Sequence, residues 1–329
     1  MSVVDVATLQ SLGHDLNRPE CVLTTSRGDL YVSDRVCGVV RVCPEQPLRH
    51  PLRGVPDGFL ANGIALERDG SFLMANIGGE VGGVWRLRPG GVAEPVVTQA
   101  DGLSLAVTNY VFVDQFERVW ATICTRLYPR ERAFRRGYAD GFIVRIDDGV
   151  AHIVADDIGF SNEAQVDPSG KWLYANETIA RRLSRFAIRP DGTLGERETV
   201  AEFGAGSFPD GMAFDADGGV WVTAVVTNRL IRVAPDGSQS VVLDDSDPDV
   251  VRRVEEHFAA GGIDREDLDA GRTRPLRNLS SLAFGGPDLR RIFLGSLFND
   301  RVLHFQSAIA GAVPSHWNWT VDGAVFDAG

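Results

Sequence analysis

Five phrases in the chain set a carboxylate or a carboxamide against a short apolar stretch. They hold Glu20 in RPECVL, Asn62 in ANGIAL, Asn109 in TNYVFV, Asn162 in SNEAQV and Asp210 in PDGMAF. These side chains offer hard oxygen donors. Two carboxylates and several amide oxygens brought together would form a cage of about two negative charges, suited to Ca²⁺ and able to accept Mg²⁺, Mn²⁺ or Zn²⁺. Without a cation, the carboxylates would repel each other in a partly desolvated site. Taken singly, each residue is also ordinary turn material, and Asn62-Gly63 and Asp210-Gly211 are common turn pairs. Their shared register sets them apart. Turn chemistry does not ask for Glu20, and Asn109 precedes Tyr110 rather than glycine.

That register belongs to an internal repeat. About eleven residues downstream of each polar position stands the aromatic or aliphatic centre of one strand phrase. The copies are DLYVSD (29–34), SFLMAN (71–76), RVWATI (118–123), KWLYAN (171–176), GVWVTA (219–224) and RIFLGS (291–296). Five follow Gly- or Asp-bearing turns, as hairpins do. Tyr31, Leu73, Trp120, Tyr174, Trp221 and Phe293 recur at roughly 40- to 55-residue intervals, apart from one longer final gap. This is the period of four-stranded propeller blades. Further strands are expected at 38–43, 83–88, 141–146, 182–188, 229–234 and 301–306. The fold class is therefore all-β, a single six-bladed β-propeller over 1–329. Its innermost strands line a channel, so one repeated register converges in space. In blade six that register falls near Ser280 and Ser281.

The long final gap carries DDSDPDVVRRVEEHFAAGG, with Val250, Val251, Val254 and Phe258 at helical spacing. A short helical insertion at about 245–275 is expected before the last blade. Its polar continuation, DREDLDAGRTRP, reads as surface, with a lid over the channel mouth as the sharper alternative.

A net charge of -12 disfavours nucleic acid and anionic membranes, and no apolar run approaches a membrane span. The expected partner is a small-molecule substrate and the expected location cytoplasmic. Monomer and dimer are both compatible with the sequence. Cys21, Cys37, Cys43 and Cys124 form no CxxC pair and read as reduced. No G-x-S-x-G elbow and no HExxH motif occurs, and GGEVGG (78–83) lies between strands as a turn.

The phrases RPECVLTTSRGDLYVSD, FPDGMAFDADGGVWVTAV and SSLAFGGPDLRRIFLGS resemble the SMP-30/gluconolactonase/LRE-like family, which includes regucalcin and diisopropyl fluorophosphatase. The resemblance covers nearly the whole chain. It implies Glu20, Asn162 and Asp210 as direct ligands of one divalent ion, with Asn109 as a fourth ligand or a substrate contact beside it. Two departures adjoin these positions: Tyr110 stands where many members have Asp, and Glu163 where many have Gly. They point to different substrate contacts, so Glu163 joins the substrate-binding candidates.

The expected activity is hydrolysis of a lactone or similar small ester, with Asp210 as general base and Asn62 orienting substrate. Arg126, in the basic stretch CTRLYPRERAFRRGYADG, is the choice for an acidic substrate group. Two alternatives stay open: an isomerisation or cyclisation at the same metal, and a calcium- or protein-binding propeller without turnover.

Overall fold

In a computed structural model that describes residues 3–321, the repeat becomes six antiparallel sheets whose innermost strands pack side by side into a closed ring. The innermost strands are Val22–Thr24, Ala61–Leu66, Thr108–Val113, Ser161–Val166, Ser207–Phe214 and Leu279–Gly285. All six anticipated second strands form: Leu30–Asp34, Phe72–Asn76, Val119–Ile123, Trp172–Glu177, Val220–Val226 and Arg291–Ser296. Third strands occupy each further segment read from the sequence, from Gly38–Arg41 to Val302–Gln306. Blade three gains an outer pair, Gln99–Ala100 and Leu103–Ser104.

One local device fixes the two tryptophans at the aligned position. Asp114 ends the inner strand of blade three. Its carboxylate accepts the backbone N–H groups of Phe116 and Arg118, then the Trp120 indole at 2.9 Å and Arg118 Nε at 2.6 Å. Asp215 does the same in blade five, taking Asp217, Gly219, the Trp221 indole at 2.8 Å and Arg232 Nε at 2.6 Å. A buried carboxylate thus closes the hairpin and satisfies the polar edge of a wholly buried ring.

Among the described residues, the last blade has no fourth strand of its own. Gln10–Leu12, ahead of blade one in the chain, pairs antiparallel with Val302–Gln306 and completes it. This latch removes an open sheet edge.

The expected insertion is helix Pro248–Ala259, with Pro248 in its first turn and the Asp247 carboxylate capping the N–H groups of Asp249 and Val250. Val254 and Phe258 pack among Phe208, Val225 and Phe134. The continuation differs from the surface stretch expected. It folds into a second short helix, Arg265–Leu268, under a reciprocal Asp264/Asp267 capping box, and then a 3₁₀ turn, Ala270–Thr273. Leu268 and Ala270 bury in the same cluster, which is why a polar sequence leaves the surface. The insertion also meets the blade-three loop, with Ile263 N donating to Phe134 O at 2.9 Å. Its Arg265 and Asp269 share a cavity with Arg18 and Arg130. Among the described residues, no helix is long and apolar enough to cross a membrane.

Candidate active site at the channel mouth

The innermost strands of blades two to six all slip register at the polar position. The slips fall between Ala61 and Ile64, Thr108 and Tyr110, Ser161 and Ala164, Pro209 and Met212, and Leu279 and Ser281. A bulge adds an unpaired residue and re-aims its side chain. Asn62-Gly63 and Asp210-Gly211 therefore lie within strands, not in turns. Their glycines answer to crowding: a Cβ on Gly63 would stand 2.5 Å from the Tyr110 ring, and one on Gly211 2.5 Å from Ser280 O. Tyr110, one of the two family departures, is the side chain that fills the space Gly63 leaves.

The bulged side chains form a linked set. Asn62 Nδ2 donates to Glu20 Oε1 at 2.9 Å, to Asn109 O at 3.0 Å and to Asn109 Oδ1 at 3.2 Å. Its own Oδ1 accepts from Arg18 Nη2 at 2.7 Å. Asn109 Nδ2 reaches Cys124 Sγ at 3.2 Å, and Asn162 Nδ2 donates to Thr178 Oγ1 at 2.9 Å. Thr178 Oγ1 in turn donates to Pro209 O, and Asn176 Nδ2 donates to Asp210 O and Gly211 O. Blade six joins through Ser280 Oγ, which donates to Glu20 O at 3.0 Å.

Glu20 and Asp210 are both buried. Burial pushes the Glu20 carboxyl above its usual range, and burial followed by Glu20's charge pushes Asp210 well above its own. Among the described residues, Glu20 Oε2 and Asn162 Oδ1 have no hydrogen-bond partner. Buried oxygens left without donors beside two mutually repelling carboxylates fit a hard divalent cation. Among the described residues, no group of three or more His, Cys, Asp or Glu is placed to hold a metal ion. A cation here must rely on amide oxygens as well as the two carboxylates.

The site residues expected from sequence take different positions. Glu20, Asn109, Asn162 and Asp210 come from blades one, three, four and five, and Asn62 lies among them as a clamp rather than a free substrate contact. Glu163 points deeper. It is buried, its Oε2 accepts from Met212 N at 2.9 Å, and burial raises its carboxyl well above the ordinary range. Arg126 needs correction: its guanidinium is spent on Asp156 at 2.7 Å and Asp140 O at 2.6 Å and lies over the Phe142 ring, so it does not face the ring of ligands. Its loop neighbour Arg130 does. Arg130, Arg18 and Arg265 line a cavity of about 470 Å³ at the mouth. Sequence reasoning missed all three, together with Thr178 and the role of Cys124, a free buried thiol pushed up to about 12 by burial. Cys21 and Cys37 are also free and buried, and Cys43 is free and partly exposed.

The sequence model of the SMP-30/Gluconolactonase/LRE-like region matches residues 55–244. A 6-deoxy-6-sulfogluconolactonase from Pseudomonas putida is 27% identical over 267 residues, covering 80% of this chain and 74% of that protein. A pentonolactonase from Haloferax volcanii is 25% identical over 240 residues, covering 72% and 67%. The solved structure of a calcium-binding regucalcin from Agrobacterium tumefaciens superposes with a TM-score of 0.65 at 15% identity, covering 94% of this chain and 97% of that one. That likeness is one of fold.

Proposed function

The chain belongs to the SMP-30/gluconolactonase/LRE-like family, and on that footing we propose that it hydrolyses lactones with one divalent cation held by Glu20, Asn109, Asn162 and Asp210. The observation that carries this reading is the convergence of those four side chains, with Glu20 Oε2 and Asn162 Oδ1 buried and partnerless among the described residues. Two relatives named as lactonases support hydrolysis over isomerisation, cyclisation or binding without turnover. The calcium-binding structural neighbour favours Ca²⁺, with Zn²⁺, Mn²⁺ or Mg²⁺ as alternatives.

When bound, the cation supplies Lewis-acid polarisation of the lactone carbonyl. The protein's own groups do the rest. Asp210 takes a proton from water at a carboxylate oxygen as the water oxygen adds to the carbonyl carbon. It returns that proton to the ring oxygen as the C–O bond breaks, leaving an open hydroxy acid. Thr178 fixes the Asn162 amide with its oxygen free, and Asn62 orients Glu20 and Asn109 together. Glu163 acts one layer down. By accepting from Met212 N it holds the bulge that aims Asp210.

The test is a panel of sugar lactones assayed after chelation and again after Ca²⁺, Mn²⁺, Zn²⁺ or Mg²⁺ is restored. Turnover that disappears and returns with a divalent ion is the expected result. Full turnover in chelator would overturn the metal, and silence on every lactone with metal restored would overturn the hydrolase.

A further inference from the structure

Many of the partly buried arginines of the blades are paired with acids. Arg86 meets Glu67, Arg118 Asp114, Arg182 Glu177 and Arg232 Asp215, each at 2.6 to 2.7 Å. At the mouth the pairing is incomplete. Arg18 spends Nη2 on the neutral Asn62 amide, and among the described residues its buried Nη1 has no partner. Arg130 has its nearest acid, Glu131, only at 3.9 Å. That acid is already engaged by Arg265 at 3.0 Å, and Arg265 reaches Asp269 at 3.8 Å. Burial, then the neighbouring Arg265, pushes the Arg130 guanidinium down to about 10. Crowding like charges in a partly desolvated cavity is costly unless an anion compensates them.

The three cations come from three separate segments. Arg18 precedes blade one, Arg130 opens the 3₁₀ turn Arg130–Ala133 of the blade-three loop, and Arg265 begins the short helix of the insertion. Together with Arg35 they line the 470 Å³ cavity, which Asp269 and Asp300 also border, in a chain whose net charge is -12. The carboxylates of Glu20 and Asp210 cannot serve as their counter-ions if those groups hold a divalent cation. A cavity of this volume is the size of a small-ligand site.

We propose that Arg18, Arg130 and Arg265 form an anion subsite beside the metal ring, and that the lactone opened here carries a carboxylate, sulfonate or phosphate group distal to its carbonyl. This rests on the lactonase reading for its substrate but not for its binding chemistry. Guanidinium groups present paired N–H donors to such oxyanions, which also orients the lactone carbonyl toward the ring of ligands.

Two measurements test it. In the first, kcat/KM is compared for neutral gluconolactone, a glucarolactone bearing a free carboxylate, and 6-phosphogluconolactone. The wild type should prefer the anionic lactones by about tenfold or more, and Arg265→Gln or Arg130→Lys should reduce that preference by about tenfold. Arg126→Gln, whose guanidinium is bound elsewhere, should not move it. Lactones hydrolysed without preference would overturn the subsite while leaving the lactonase intact.

In the second, glucuronate and glucose are titrated calorimetrically into the Ca²⁺-loaded protein. Glucuronate should bind at least about tenfold more tightly, and Arg265→Gln should abolish the difference. That result supports the subsite even if no lactone is turned over. Equal weak binding of the two sugars overturns it whatever the activity. Inorganic sulfate binding as tightly as glucuronate assigns the arginines to a free anion and overturns the substrate part.

Discussion

The same innermost strands build two opposite ends of one channel. At the mouth, Glu20 just ahead of its strand joins Asn109, Asn162 and Asp210 at bulged positions, and arginines line a cavity nearby. A few residues further along, where the ladders run in register, Ile64, Leu66, Phe112, Val166 and Leu282 line an apolar cavity of about 370 Å³. Residues 312–316 close that end, with Ala312 N donating to Phe214 O at 2.9 Å and Ser315 Oγ to Val113 O at 2.5 Å. Polar residues also border it, among them Thr24, Gln165 and His316, whose Nε2 has no partner among the described residues. The contrast teaches that the strands are not polar or apolar by nature. Regular pleating turns them into core, and a bulge in each of blades two to six turns the same strand toward the site.

The comparison breaks first at Asp210. Asp210→Asn should cost about 10²- to 10⁴-fold in kcat if this residue moves the proton. In chelator the same variant should melt higher than wild type, because one of two repelling buried carboxylates has gone. Wild-type turnover with a lower melting temperature would reverse the assignment.

Acid should act on the two ends in opposite senses. Burial lowers the His316 imidazole to about 4, below its unfolded value, so the folded state resists protonation. Stability from this group is complete above about pH 6.5 and is lost as pH falls toward 4, by up to about 3 kcal/mol. In chelator the Glu20, Asp210 and Glu163 carboxyls are raised instead, so their contribution is largest near pH 4 and fades as pH rises through their elevated folded values. Urea melts between pH 7 and 4.5 should show His316→Phe losing less stability on acidification than wild type. Ca²⁺ should remove the acid gain at the mouth. Identical pH slopes for His316→Phe and wild type would erase the distinction.

Packing effects are smaller. Gly63→Ala drives a methyl into Tyr110 and should destabilise by about 1 to 3 kcal/mol in a denaturant melt. Ala213→Leu, which adds bulk to the apolar cavity, should raise stability by about 0.5 to 1 kcal/mol with lactone turnover unaltered. A destabilised Ala213→Leu would mean that the lower cavity is not spare volume.

The blades and the polar register were legible because both repeat: a bulky apolar residue recurs at the aligned position, locked by a carboxylate at Trp120 and Trp221, and Asn62, Asn109, Asn162 and Asp210 stand eleven or twelve residues before it. Helix Pro248–Ala259 was legible from its cap and its period. What does not repeat was not legible. Arg126 and Arg130 share one loop, and only the packing of Ala133 and Phe134 against the insertion decides which of them turns inward. Arg265 lies in a stretch whose polar composition hid a helix, although its Asp264/Asp267 box was a usable signal. Asn62-Gly63 reads as a turn in any local window, since the strand that crowds Gly63 is a whole blade away. The latch Gln10–Leu12 is too short to show a period.

That latch ties function to the order in which the chain is made. Gln10, Ser11 and Leu12 pair with His304, Leu303 and Val302, and this handful of contacts joins segments almost the full length of the chain apart. Glu20 follows the latch closely, and Ser280, which steadies its backbone, belongs to the blade the latch completes. On the ribosome, Glu20, Asn109, Asn162 and Asp210 have all been synthesised before the strand that closes the propeller. The polar ring is therefore completed late, and a nascent or clipped chain lacking 302–306 would carry all four residues without the pairing that closes the propeller around them.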